Sequence, residues 1–149
     1  MDTDPLPLVE QELALLLRRA QAASGRMAQR VHPDLEPAAY PLLSRIAQSP
    51  DVRASELAQH FGVGRGTMSR QLARLEELGL IARRTDPEDS RGQLISLTAE
   101  GTRRSEDARV ARRTFLRQAL THWSDDEVAG LAEQLRRLNT DLGTATHGE

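Results

Sequence analysis

Ser69, Arg70 and Arg74 fall on one side of a helical pattern spanning residues 65–78, together with Gly66, Ala73 and Glu77. Met68, Leu72, Leu75 and Leu78 fall on the other side at 100° per residue, so the first set should face outward. A guanidinium there offers paired donors that match guanine O6 and N7 or a phosphate, and a serine hydroxyl suits either partner. Gly66 and Ala73 are small enough for the helix axis to come close to a base-pair edge. Glu77 would repel phosphates, so only the first two turns should enter a groove. Arg65 and Thr67 in the first turn complete this candidate set. The helix opens Gly64-Arg65-Gly66, with no capping side chain and a cation at the positive end of the dipole. A phosphate beside Arg65 would relieve that conflict.

A second candidate lies in the polar loop Thr85-Asp86-Pro87-Glu88-Asp89-Ser90-Arg91-Gly92. The loop is more acidic than basic, yet Arg91 stands beside a flexible glycine at its end. A lone arginine gains from the negative potential of a narrow minor groove, and Asp89 would hold a nearby arginine in position. The bland reading is a solvated loop with an incidental pair two residues apart.

Local signals define the elements that must carry these side chains. A short helix from Ser55 to Phe61, the turn Gly62-Val63-Gly64 and a helix to Leu78 have helix-turn-helix spacing. Gly79 stops the second helix, and Leu80–Arg84 and Gln93–Leu97 read as strands around the loop. Upstream, apolar residues from Val9 to Val31 fit one long amphipathic helix. A helix of that length near the terminus must pack on another chain or clamp the rest of the molecule. After the break His32–Pro37, a helix with Leu42, Leu43, Ile46 and Ala47 as its buried stripe follows. Its start is ambiguous, because Pro41 should push Tyr40 out of helical dihedrals. Thr98 caps a long helix to about Leu120, and Ser124-Asp125-Asp126-Glu127 is a capping box opening the last helix through about Leu142. The end, Thr144 to Glu149, should fray.

Composition bounds the chemistry. The chain has 149 residues and a net charge of −2, enough for one domain with a proper core. Any affinity for nucleic acid must therefore be local, and residues 53–92 hold seven arginines against six carboxylates. All 20 basic residues are arginine, and cysteine is absent, which excludes thiol redox chemistry, disulfides and thiolate zinc sites. One Trp, one Tyr and two Phe are too few for base-stacking platforms. No signal peptide or membrane span is read, so a soluble, cytoplasmic protein is expected. His32, His60, His122 and His147 are scattered and suggest no metal site. Asp125 and Asp126 belong to the capping box. The glycine run 62–66 lacks a phosphate-loop lysine. No cofactor and no enzymatic activity are expected. Arg103, Arg104, Arg109, Arg112, Arg113 and Arg117 read as a solvated helix face paired with Glu100, Glu106 and Asp107.

These residues resemble the multiple-antibiotic-resistance regulators, the MarR family, from about Leu8 to Leu142. The resemblance rests on Ser55-Glu56-Leu57-Ala58, on Leu75-Glu76-Glu77-Leu78-Gly79-Leu80-Ile81 with Arg84, and above all on Asp86–Gly92 followed by Leu97-Thr98-Ala99-Glu100-Gly101. It implies a mainly α fold with a small β-hairpin, one domain over 1–149. Residues 36–98 would form a winged helix-turn-helix lobe, and 8–31 and 99–142 would be dimerisation helices. It further implies a homodimeric repressor on a pseudo-palindromic duplex operator, with Arg91 in the minor groove and Asp89 supporting the wing. A small, often phenolic ligand bound between the DNA lobe and the dimer helices is implied as releasing agent. Apart from the resemblance, Met27 and Tyr40, with Trp123 or the arginines of 103–117, are candidates to line a pocket that the sequence does not place. The DNA-binding set is then Arg65, Gly66, Thr67, Ser69, Arg70, Arg74, Arg84, Asp89 and Arg91. The competing reading is a winged-helix module for protein–protein contact with no operator of its own.

Overall fold

The computed structural model describes residues 4–145. In chain order these form α1 (Leu6–Val31), α2 (Ala39–Gln48), β1 (Val52–Arg53), α3 (Ala54–Phe61), α4 (Arg65–Glu77), β2 (Ile81–Thr85), β3 (Gln93–Leu97), α5 (Ala99–Ala119) and α6 (Asp125–Ala145). They separate into two compact units, Met1–Ala111 and Arg112–Glu149.

In the first unit the apolar faces close on each other. Val31 of α1, Leu42, Leu43 and Ile46 of α2, Leu57 of α3, Met68, Leu72 and Leu75 of α4, then Leu80, Ile95 and Ala108 form one buried cluster. The expected stripe of α4 is therefore inward, with Leu78 half-buried at its end. In α2 the expected Ala47 is exposed, and Tyr40 takes its place in the core. Tyr40 is helical despite Pro41, because Pro41 sits in the first turn, where its missing amide has no helical partner to lose.

The sheet has three antiparallel strands in the order β1-β3-β2. β2 and β3 pair from Ile81↔Leu97 to Thr85↔Gln93, the expected hairpin. β1 was not legible in the sequence: its two residues become a strand only by pairing Val52↔Ile95 and Arg53↔Leu94.

Two glycines decide how the hairpin joins the helices. Gly79 has φ 75°, which a residue with a Cβ adopts only with strain, and it ends α4. At Gly101 the first turn of α5 lies against the backbone of Leu80, and a Cβ there would overlap the Leu80 carbonyl. Thr98 completes the junction. Its amide donates to the Leu80 carbonyl (3.0 Å), its hydroxyl donates to the Gly79 carbonyl (2.6 Å), and the hydroxyl oxygen accepts from the Gly101 amide (3.0 Å). The run Leu97-Thr98-Ala99-Glu100-Gly101 is thus the mechanical base of the wing.

The second unit holds the end of α5, a turn closed by Trp123 N–H on the Leu120 carbonyl, and α6. Ser124 Oγ accepts the Glu127 amide at 3.1 Å, the forward half of the expected capping box. No residue of α6 is buried. The helix runs to Ala145, through the start of the stretch expected to fray, whose remainder lies outside the described residues. Among the described residues no helix is long and apolar enough to cross a membrane.

Candidate nucleic-acid interface

α4 packs through Met68, Leu72 and Leu75, which leaves Gly66, Ser69, Arg70, Ala73 and Arg74 exposed on the far side. Thr67 differs from that set: it is half-buried, on the flank of the helix. Gly66 has open space where a Cβ would stand, consistent with a helix surface that another molecule could approach closely. The helix starts at Gly64 in extended conformation with no side-chain cap, as its sequence implied. Its first amides therefore lack a side-chain acceptor and point outward beside Arg65.

The wing loop is organised by two aspartates. The Asp86 amide donates to the Gly92 carbonyl (2.9 Å), and Asp86 Oδ1 accepts the Glu88 amide (2.9 Å). Asp89 Oδ1 accepts the Arg91 amide (3.0 Å), and the Gly92 amide donates to the Asp89 carbonyl (2.9 Å). Such local side-chain bonds are why aspartate serves turns well. Two of the three acids that looked unsuited to DNA, Asp86 and Asp89, thus serve to shape the loop, while the Glu88 side chain is exposed. The Glu88 amide, with Arg53 and Arg84 adding, holds the Asp86 carboxyl below its ordinary value.

Between α3, α4 and the wing runs an open cleft of about 470 Å³. Arg65, Ser69 and Arg91 line it, so the structure brings the helix start and the wing arginine to one concavity. Arg70 and Arg74 lie outside the cleft, on the exposed side of α4.

The seven arginines of residues 53–92 divide into two groups. Arg53 contacts Asp86 and lies 3.9 Å from Asp89; Arg74 pairs with Glu77 at 3.3 Å, and Arg84 with Asp51 at 3.1 Å. Arg83 is largely buried and braces the hairpin against α4, donating to the Ser69 carbonyl (3.4 Å) and to Gln93 (3.3 Å) beside Glu76. Strand alternation turns Arg84 to the opposite face of the hairpin from Arg83. By contrast, among the described residues Arg65, Arg70 and Arg91 have no carboxylate within 4.0 Å. Sequence reasoning did not single out Arg53 or Asp86. The signal that could have found Asp86 was its place at the loop mouth, opposite Gly92.

Elsewhere the α5 arginines pair largely as expected: Arg103 and Arg104 bond Glu100, and Arg109 bonds Glu106. Among the described residues no three His, Asp or Glu side chains gather as a metal site, and His147 lies outside them.

A family model described as "MarR family" matches residues 34–92, from just before α2 to the end of the wing loop. The chain is 33% identical over 136 residues to the uncharacterised HTH-type transcriptional regulator YxaD of Bacillus subtilis strain 168, spanning 91% of this chain and 94% of that protein. The crystal structure of MarR is 26% identical, with a TM-score of 0.76 over 99% of this chain and 97% of that one. Streptococcus pneumoniae FabT in complex with DNA has a TM-score of 0.78 at 20% identity, covering 95% of this chain and 99% of that one, a likeness of fold.

Proposed function

This chain belongs to the MarR family of transcription regulators, and from that premise we propose that it is a homodimeric repressor. Each lobe reads one half of a pseudo-palindromic duplex operator. Arg70 and Ser69 contact base edges in the major groove, with Gly66 allowing close approach and Thr67 flanking them. Arg65 and the free amides of the α4 start take a phosphate, and Arg91 enters the adjacent minor groove. The acidic loop residue Asp89 supports the wing by its bond to the Arg91 amide. Arg74 and Arg84 are outer phosphate contacts that exchange their partners Glu77 and Asp51 for the DNA backbone.

The observation that carries the reading is the division of the arginines. Among the described residues, Arg65, Arg70 and Arg91, which the reading sends into the grooves and onto the phosphate at the helix start, are the three arginines of residues 53–92 without a carboxylate within 4.0 Å, whereas the outer contacts Arg74 and Arg84 are paired. A protein-binding module has no reason to keep two such guanidiniums, Arg65 and Arg91, in one cleft and a third, Arg70, on the exposed side of the adjoining helix. The homodimer is supported by apolar side chains that this chain leaves in water: Leu8, Leu16 and Leu17 of α1 are 64%, 50% and 68% exposed, and Phe115, Leu116 and Trp123 are exposed as well. A second copy offers the same apolar surfaces and would cover them. Release by a small aromatic or amphipathic ligand remains part of the proposal through the family premise, with half-buried Met27 and buried Tyr40 as the lining to test.

Selection from random duplexes, followed by sequencing, tests the whole reading. The expected result is an inverted repeat whose half-sites are roughly 34–36 Å apart, one turn of DNA. Affinity should fall by orders of magnitude between roughly 50 and 200 mM salt. Enrichment of no sequence, with a flat salt dependence, would favour the protein-contact module.

A further inference from the structure

We infer that Arg53 is the positioning residue of the wing: it anchors Asp86 and Asp89 to the lobe and so sets where Arg91 stands, without itself touching DNA. The inference rests on the DNA-binding reading above only for what Arg91 meets.

Arg53 occupies a junction. It is the last residue of β1, paired with Leu94 of β3, and its extended backbone (φ −81°, ψ 144°) launches α3. It therefore moves with the helix-turn-helix body. Its guanidinium nevertheless reaches the wing, where Nη2 bonds Asp86 Oδ2 and Nη1 lies 3.9 Å from Asp89 Oδ2.

Asp86 is 6% exposed, and Ser105 is the other buried polar side chain among the described residues. A carboxylate so placed must have its charge met by the protein, because water cannot do so. Arg53 is the cation that contacts it. From Asp86 the connection runs through its backbone and side-chain bonds to Gly92 and Glu88, and from Asp89 to the Arg91 amide. Each step is a direct contact between neighbouring groups, and the series ends on Arg91, whose guanidinium meets no carboxylate among the described residues.

An arginine on the loop between β2 and β3 would otherwise lose much freedom on entering a groove. A wing held from its base loses less. The same pairing explains why Arg53 is a poor phosphate ligand although it lines the cleft: two carboxylates already face its one positive charge.

The test uses the full chain and four variants: Arg53→Ala, Arg53→Lys, Asp86→Asn and Arg91→Ala. Without DNA, hydrogen exchange at the Asp86 and Gly92 amides should quicken about tenfold in Arg53→Ala and in Asp86→Asn, with partial rescue in Arg53→Lys. Asp86→Asn retains the acceptor for Glu88, so it serves if Arg53→Ala fails to fold. Unchanged exchange in both overturns the tether. With the selected duplex, Arg53→Ala should erase the flanking A·T preference as Arg91→Ala does. The double variant should bind no more weakly than Arg91→Ala alone. Added to Arg91→Ala, Arg53→Ala should leave the salt slope unaltered. Fully additive losses, with the slope falling by about one further, would show Arg53 on a phosphate and overturn the inference. If Arg91→Ala were silent on every selected duplex, the wing assignment would fall instead, and amide exchange would still decide the tether.

Discussion

The lobe from Leu35 to Leu97 and the helix α6 are built from similar amphipathic patterns but end in opposite states. In the lobe, Leu57, Leu72, Leu75, Leu80 and Ile95 are completely buried within one chain. In α6 no side chain is buried, and α1 hides only Ala28 and Val31 of its 26 residues. The difference teaches where each region finds its stability. The lobe has enough converging elements to close a core, whereas a single long helix has a stripe and nothing of its own to cover it. The charges follow the same division. α6 spends Arg136 on Glu133 within one turn, while the lobe keeps Arg65, Arg70 and Arg91 clear of carboxylates.

The severest way to break the lobe is Gly101→Ala. The new methyl would overlap the Leu80 carbonyl, and about 3 kcal/mol or more of stability should be lost, read as a lower urea midpoint. If the midpoint holds, the wing base is softer than its geometry. Next, Leu16→Glu with Leu17→Glu should leave the lobe folded but weaken self-association by about 2 kcal/mol or more, measured by sedimentation across a dilution series. Association that survives both charges would remove α1 from the interface. In DNA binding, Arg70→Ala should cost about 1–3 kcal/mol and relax one base position per half-site, whereas Arg74→Ala, already paired with Glu77, should cost less. Equal losses, by fluorescence titration, would mean the carboxylate partner is irrelevant.

Acid offers a gentler probe. Hydrogen bonds from Arg103, then Arg104, pull the Glu100 carboxyl from 4.5 to about 2. A depressed carboxyl contributes stability that is complete above its unfolded value and disappears as pH falls through the folded one. The contribution should therefore be intact above about pH 4.5 and fade toward about pH 2, with Glu100→Gln flattening that part of the unfolding curve. The mildest change is Gly130→Ala. Nothing lies within 4 Å of its added methyl, so helix propensity alone should raise stability by about 0.5–1 kcal/mol. A loss instead, seen only at high protein concentration, would place a partner's backbone against α6.

Much of this fold was legible because its boundaries are set by nearby residues. Gly79 stops α4, Thr98 caps α5 and Ser124 opens α6 through bonds spanning a few positions. The outward face of α4 was legible for the same reason, since 100° per residue needs no distant information. Tyr40 in the core, Ala47 in water and the strand β1 were not, because each depends on what packs opposite. Among the candidate residues, the half-buried place of Thr67 on the flank of α4 and the turn of Arg84 away from Arg83 were likewise set by packing and pairing.

The sequence by itself determined the alternation of turns and helices and the chemistry available on each face, since these follow from local dihedral preference and periodicity. It also determined that recognition would rely on guanidiniums, because no lysine and no cysteine is present. Only the tertiary structure decided that Arg53 and Arg83 are committed to groups far away in sequence, whereas the pairs within one helical turn are local. Arg53 meets the Asp86 carboxylate across 33 positions and Arg83 the Ser69 carbonyl across 14, and contacts at such separations are set by how strands and helices pack.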